Sequence, residues 1–177
     1  MEDLRYSALD LAAVMVSRRL DAEEQAEFLE RVWRQERLYL RREYREDKRR
    51  LVLETFYWQS YLADQPAMDA EFPIVQRDAA ATGGVLRAED YTGADAGLAL
   101  FFKSVRLRCR CLGAGEVRIK RRTLLKRCGY RRLSPGLADF FRRCLEFYRL
   151  QVYVRGRIEC RIEDAGMEDM LVFRLRQ

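Results

Sequence analysis

The chain contains no histidine and no asparagine. The first absence excludes Ser-His-Asp and Cys-His catalysis, imidazole metal ligation and histidine proton switching. The second removes the bidentate asparagine–adenine contact from any DNA-reading repertoire. An enzyme here is left with carboxylates, arginine, lysine, tyrosine and cysteine. Long apolar runs are also missing: none reaches the roughly 18 residues of a membrane span. Met1-Glu2-Asp3-Leu4-Arg5 lacks the basic start and apolar stretch of a signal peptide, so the cytoplasm is the expected address. Lysine is scarce: of 34 basic residues only Lys48, Lys103, Lys120 and Lys126 are not arginine. The guanidinium fork suits phosphate, but a GC-rich gene produces the same bias and is the simpler account.

What is present describes a globular protein. Hydrophobic residues make up 49% of the 177 positions and charged residues 35%, enough apolar surface for a real core. The five cysteines are Cys109, Cys111, Cys128, Cys144 and Cys160. No two have C-x-x-C spacing, and a zinc site without histidine needs four of these five thiolates. Reduced structural cysteine is the expectation, with no metal and no cofactor. The charge is divided along the chain. Residues 1–100 carry 14 basic and 20 acidic side chains, and residues 101–177 carry 20 and 8. A net of −6 followed by +12 suggests two modules, or an acidic module lying against a basic one, and puts any nucleic-acid footprint in the second half.

Three regions are expected: a helical region over 1–62, a loop or linker over 63–94, and a basic domain over 95–177. Leu4, Ala8, Leu11, Ala12 and Met15 recur at helical spacing and predict a helix over 3–19. Asp21 followed by Glu24 is a capping-box start for a second helix, read as running over 22–62. The charged run from Arg41 to Arg50 is interrupted by Glu43, Glu46 and Asp47 and reads as a solvated helix face. Residues 51–62 are apolar nearly all round, which predicts a helix that is buried or clasped by a partner. Pro66, Pro73 and the Gly83-Gly84 pair break the pattern after it. Thr82-Gly83-Gly84 lacks the lysine and hydroxyl of a phosphate-binding loop. Glu89, Asp90 and Asp95 form a carboxylate cluster, read as turn and cap residues before Mg²⁺ ligands.

The second half has the clearer pattern. Between Asp95 and Leu112 a helix accounts for more residues than a strand: Leu98, Phe101, Phe102, Val105, Cys109 and Leu112 line one face, and Leu100, Leu107 and Cys111 the opposite one. Gly113 is the expected stop. Gly115–Lys120 alternates as a short strand. Arg121–Cys128 reads as a short helix closed by Gly129. Ser134-Pro135 is a helix start, a hydroxyl cap with proline at the first helical position. The helix from Pro135 to Leu150 puts Leu137, Phe140, Phe141, Cys144, Leu145, Phe147 and Tyr148 on one arc, and Asp139, Arg142, Arg143, Glu146 and Arg149 on the other. Its i,i+4 pairs are Asp139–Arg143 and Arg142–Glu146. Val152, Val154, Ile158, Cys160 and Ile162 keep one parity, which predicts one long strand. Leu171, Phe173 and Leu175 alternate in a strand pairing back.

The predicted fold is therefore mostly α with a small antiparallel β ribbon. The order helix, strand, helix, turn, helix, ribbon over 95–176 resembles a winged helix-turn-helix domain. The resemblance implies that Pro135–Leu150 reads a groove, that Arg121, Arg122, Lys126, Arg127, Arg131 and Arg132 clamp phosphates, and that the ribbon tip touches backbone. The candidate set is completed by Arg142, Arg143, Arg149, Arg155 and Arg157. The leading expectation is a non-enzymatic regulatory protein that binds nucleic acid, DNA before RNA, with N-terminal helices that homodimerise or bind a partner. The alternative is a non-catalytic interaction or scaffold module that meets an acidic protein surface. A metal-dependent phosphodiesterase using Glu89, Asp90, Asp95 and Lys103 is the third reading.

Overall fold

The computed structural model describes residues 4–63, 96–154 and 158–177. Backbone contacts divide the chain into two compact units, Met1–Gly93 and Ala94–Gln177.

The first unit holds α1 (Ala8–Ser17), α2 (Ala22–Gln35) and α3 (Lys48–Ala63). Ser7 caps α1: its hydroxyl accepts from the Asp10 N–H at 3.2 Å while the Asp10 carboxylate accepts from the Ser7 N–H at 2.7 Å. Asp21 and Glu24 form the capping box read from the sequence, each backbone N–H donating to the other's carboxylate at 2.9 Å. α1 packs along α3, and Ala8 through Met15 are all buried.

Two helix boundaries differ from expectation for a single reason. Tyr6 and Leu40 form a parallel β-bridge. The Tyr6 N–H donates to the Tyr39 carbonyl at 2.7 Å, and the Arg41 N–H donates to the Tyr6 carbonyl at 3.0 Å. The first helix therefore starts at Ala8, not at residue 3. The expected 22–62 helix ends at Gln35, and two 3₁₀ turns, Arg37–Tyr39 and Arg42–Tyr44, follow. The RREYREDKRR run has helical propensity, but it cannot also supply this bridge. The helix restarts where the Asp47 carboxylate accepts from the Arg50 N–H at 2.8 Å. Nor is α3 buried all round. Leu51, Thr55 and Leu62 are fully buried, while Leu53, Phe56 and Tyr57 are exposed.

The second unit holds α4 (Ala96–Cys111), β1 (Val117–Lys120), α5 (Arg121–Arg127), α6 (Pro135–Phe147), β2 (Leu150–Val154), β3 (Ile158–Glu159), a 3₁₀ turn at Ile162–Asp164, and β4 (Met170–Leu175). The helix reading of 95–112 holds: Leu98, Phe101, Phe102 and Val105 on one face and Leu100, Leu107 and Cys111 on the other are buried, while Cys109 and Leu112 are half-buried. Gly113, at φ +72°, ends it in the left-handed region, and the Ala114 N–H closes back on the Arg108 carbonyl at 3.0 Å. The strands form one antiparallel sheet in the order β1-β4-β2-β3. β4 lies in the middle, with Phe173 opposite Val117 on β1 and Val152 on β2.

The expected long strand is a correction. The chain reverses after Val154, and β3 pairs back on β2 with Val154 opposite Ile158 and Tyr153 opposite Glu159. In that register even residues still face even residues, so the alternation continues across the reversal and mimics one strand. Leu175, expected inward, is only half-buried, and Val172 on the opposite parity is buried. Phe101, Phe102, Phe141 and Phe173 are fully buried. Their rings meet edge-on with centroids 5.1 to 5.7 Å apart, which joins α4, α6 and the sheet.

All five cysteines are free thiols. Burial pushes Cys128 up to about 12 and also raises Cys109 and Cys160. The folded Cys128 thiol holds its proton more tightly than the unfolded one. Its stabilising contribution is thus complete at neutral pH and is lost as the pH rises from about 9 through about 12. Iodoacetamide at pH 7.5 is expected to alkylate Cys128 more than tenfold slower in the native chain than in denaturant. Equal rates, read by peptide mass mapping, overturn that expectation.

Candidate nucleic-acid interface

The candidate residues lie on α5, the turn after it, and α6. α5 is amphipathic in one turn's width: Leu124 and Leu125 are buried, which leaves Arg122 and Lys126 outside. Gly129, at φ +83°, ends it, and the Tyr130 N–H returns to the Leu125 carbonyl at 2.8 Å. α6 then starts as expected. The Ser134 hydroxyl accepts from the Leu137 N–H at 3.3 Å, with Pro135 at the first helical position. Leu137, Ala138, Phe141 and Cys144 face inward. Asp139, Arg142, Arg143 and Glu146 face out and, with Gly136, line a shallow open groove. Arg149 follows the helix at φ +49°. Its carbonyl accepts from the Arg176 N–H at 2.8 Å, which turns the chain into the sheet.

The cations of this unit fall into two groups. One group has acceptors of the fold beside it. The Arg121 guanidinium donates to the Ala165 carbonyl, and its backbone N–H donates to the Asp169 carbonyl at 3.0 Å. Arg121 thus tethers the loop before β4, a role that leaves it half-buried. Arg122 pairs with Glu168 at 2.7 Å, and Lys120 approaches the same carboxylate at 3.8 Å. Arg174 and Arg118 grip Glu116, with Arg174 at 2.6 Å. These two guanidiniums, Arg174 first, hold the Glu116 carboxyl below its ordinary range. Arg142 pairs with Asp139 and, at 3.4 Å, with Glu163. The i,i+4 pairs expected on α6 are therefore replaced by one i,i+3 pair and one contact from the 3₁₀ turn.

The second group has no acidic partner among the described residues. Lys126, Arg131, Arg132, Arg143 and Arg149 are exposed and make no ion pair among the described residues. Three of them, Lys126, Arg131 and Arg132, flank the turn that leads into α6. Arg143 lies over the Phe140 ring, 5.3 Å from its centroid. Arg161 and Arg176 were not in the candidate set; they too are exposed and make no ion pair among the described residues. Their signal in the sequence is their place on the outward parity near the strands. The Arg127 side chain and all of Arg155 and Arg157 lie outside the described residues.

The carboxylates of the third reading, Glu89, Asp90 and Asp95, also lie outside the described residues. Lys103, which that reading pairs with them, is buried. Among the described residues no group of three cysteine or acidic side chains is placed to hold a metal ion, and no helix is long and apolar enough to cross a membrane. Comparison of the chain with known protein families, curated proteins and solved structures finds no match.

Proposed function

We propose that Ala94–Gln177 is a winged-helix module of a non-enzymatic regulatory protein, and that it binds duplex DNA. The observation that carries this reading is the partition of charge. Arg118, Lys120, Arg122 and Arg174 have carboxylates beside them, whereas Lys126, Arg131 and Arg132, clustered at the turn into α6, make no ion pair among the described residues, as is also true of the scattered Arg161 and Arg176. Like charges on one edge repel one another unless an anion lies against them. The reading is further supported by the helix–turn–helix order of α5 and α6 and by the sheet that backs them. α6 is the groove helix and the turn cations are phosphate contacts.

The test is fluorescence anisotropy of the full chain with a labelled 20-bp duplex from 50 to 200 mM salt. Binding is expected to weaken steeply with salt, by about 0.5 log units per phosphate contact over that range. No binding at 50 mM salt overturns the proposal.

One observation favours a second reading. Leu53, Phe56 and Tyr57 present an apolar strip on α3, with Leu53 59% and Tyr57 54% exposed. Such a strip suits a partner helix or a second copy of the chain. A chain that binds no polyanion but sediments as a dimer fits this interaction module instead.

A further inference from the structure

Resting on the DNA-binding reading above, we infer that the outer face of α6 recognises G·C pairs in the major groove, with Arg143 on guanine and Glu146 on cytosine. α6 is 13 residues long, about 20 Å, and an α-helix fits the roughly 12 Å major groove of B-DNA. Its outward arc is Gly136, Asp139, Arg142, Arg143 and Glu146, all exposed along one open groove. A Cβ added at Gly136 meets no atom within 4 Å. Packing therefore does not require glycine there, and its absence of a side chain leaves the first turn open to close approach.

The chemistry of that arc is one-sided. It offers guanidinium donors and carboxylate acceptors and nothing else. In the major groove guanine shows two acceptors, O6 and N7, which a guanidinium meets bidentately. Cytosine shows the N4 donor, which a carboxylate accepts. Adenine is met by a side-chain amide and the thymine methyl by an apolar group. The arc has neither: asparagine is absent from the whole chain, and α6 contains no glutamine.

Within the arc the ion pairs separate the readers from their supports. Arg142 pairs with Asp139 through Nη2 and lies 3.4 Å from Glu163 through Nε, so its charge and that of Asp139 already have partners on the protein. Arg143 has no acidic partner among the described residues, and its guanidinium lies over the Phe140 ring, 5.3 Å from the centroid. Glu146 is exposed and makes no ion pair among the described residues. Arg143 and Glu146 are three residues apart, about 4.5 Å along the helix axis. The base-pair rise is about 3.4 Å, so the two side chains reach the same or neighbouring pairs.

The test uses three labelled 20-bp duplexes and the full chain at 100 mM salt, read by anisotropy. One is rich in G·C, one in A·T, and one has inosine in place of every guanine. An I·C pair keeps the major-groove pattern of G·C, but without the guanine N2 amine its minor groove resembles that of A·T. G·C and I·C are expected to bind alike, and A·T about tenfold more weakly. Arg143→Ala is expected to reduce the preference while salt-dependent binding continues, and Glu146→Gln to raise A·T affinity relative to G·C. Equal affinity for all three duplexes with a steep salt slope overturns this inference and leaves the DNA-binding reading standing. I·C grouping with A·T overturns it in favour of the minor groove. No binding to any duplex at 50 mM salt defeats the underlying reading, and this inference with it.

Discussion

The Arg131→Ala/Arg132→Ala chain is expected to fold as the wild type does and to bind duplex DNA more weakly and with a shallower salt dependence. Both side chains are exposed and make no ion pair among the described residues. Surface substitutions of that kind shift stability by about 0.5 kcal/mol or less. Each phosphate contact contributes about 0.9 to the slope of log K against log salt, so removing two lowers it by about 1.8. Between 50 and 200 mM salt the advantage of the wild type over the variant therefore shrinks by about tenfold. That ratio is the decisive quantity. A general loss of folded protein weakens binding by the same factor at every salt concentration, whereas lost phosphate contacts weaken it most when salt is low. An unchanged slope in a folded variant means that the turn is not on the DNA.

The division of cations on which this rests was only partly legible in the sequence. The basic turn is visible because Lys126, Arg131 and Arg132 are close in the chain. Which cations the fold engages is only partly visible, because Glu116 and Asp139 are local to Arg118 and Arg142 while other acceptors come from far away. Glu116 lies 58 residues from Arg174, and the Ala165 carbonyl lies 44 residues from Arg121. Local rules predicted Asp139–Arg143 and Arg142–Glu146. Arg142 instead pairs with Asp139 one turn back and also approaches Glu163, which only the tertiary fold brings there.

The same boundary separates the elements read well from those misread. The start and inner face of α6 are legible, because the start is a local cap and the apolar arc repeats one period; its end is not, since the expected Pro135–Leu150 helix stops at Phe147, with Arg149 at φ +49° and Leu150 already in β2. The Asp21 capping box was equally local. By contrast, the Tyr6–Leu40 bridge joins residues 34 apart and overrides the helical pattern at both. The β2–β3 reversal escaped for a different reason. Its register preserves parity, so the hydrophobic alternation of a hairpin and of a straight strand is the same string of letters.

The core of the second unit gives the largest expected change in stability. Phe173 sits at the middle of the central strand and is fully buried. Its ring meets Phe101 at 5.4 Å and Phe102 at 5.7 Å, and Phe102 meets Phe141 on α6 at 5.1 Å. Phe173→Ala removes the ring common to α4 and the sheet and leaves a cavity there, at a cost of about 3–5 kcal/mol. Natural domains have only about 5–15 kcal/mol in all. Phe173→Leu keeps most of the volume and is expected to cost less than half as much. Urea unfolding followed by circular dichroism measures both, and a Phe173→Ala midpoint equal to wild type overturns the assignment of this cluster as the core. The consequence for function distinguishes the two variants. α6 is positioned through Phe141, so Phe173→Ala is expected to bind DNA when cool and to lose binding on warming, together with its helical signal. Arg131→Ala/Arg132→Ala is expected to bind weakly at every temperature while the helical signal stays intact. One change removes the scaffold that holds the groove helix; the other removes the charges beside it.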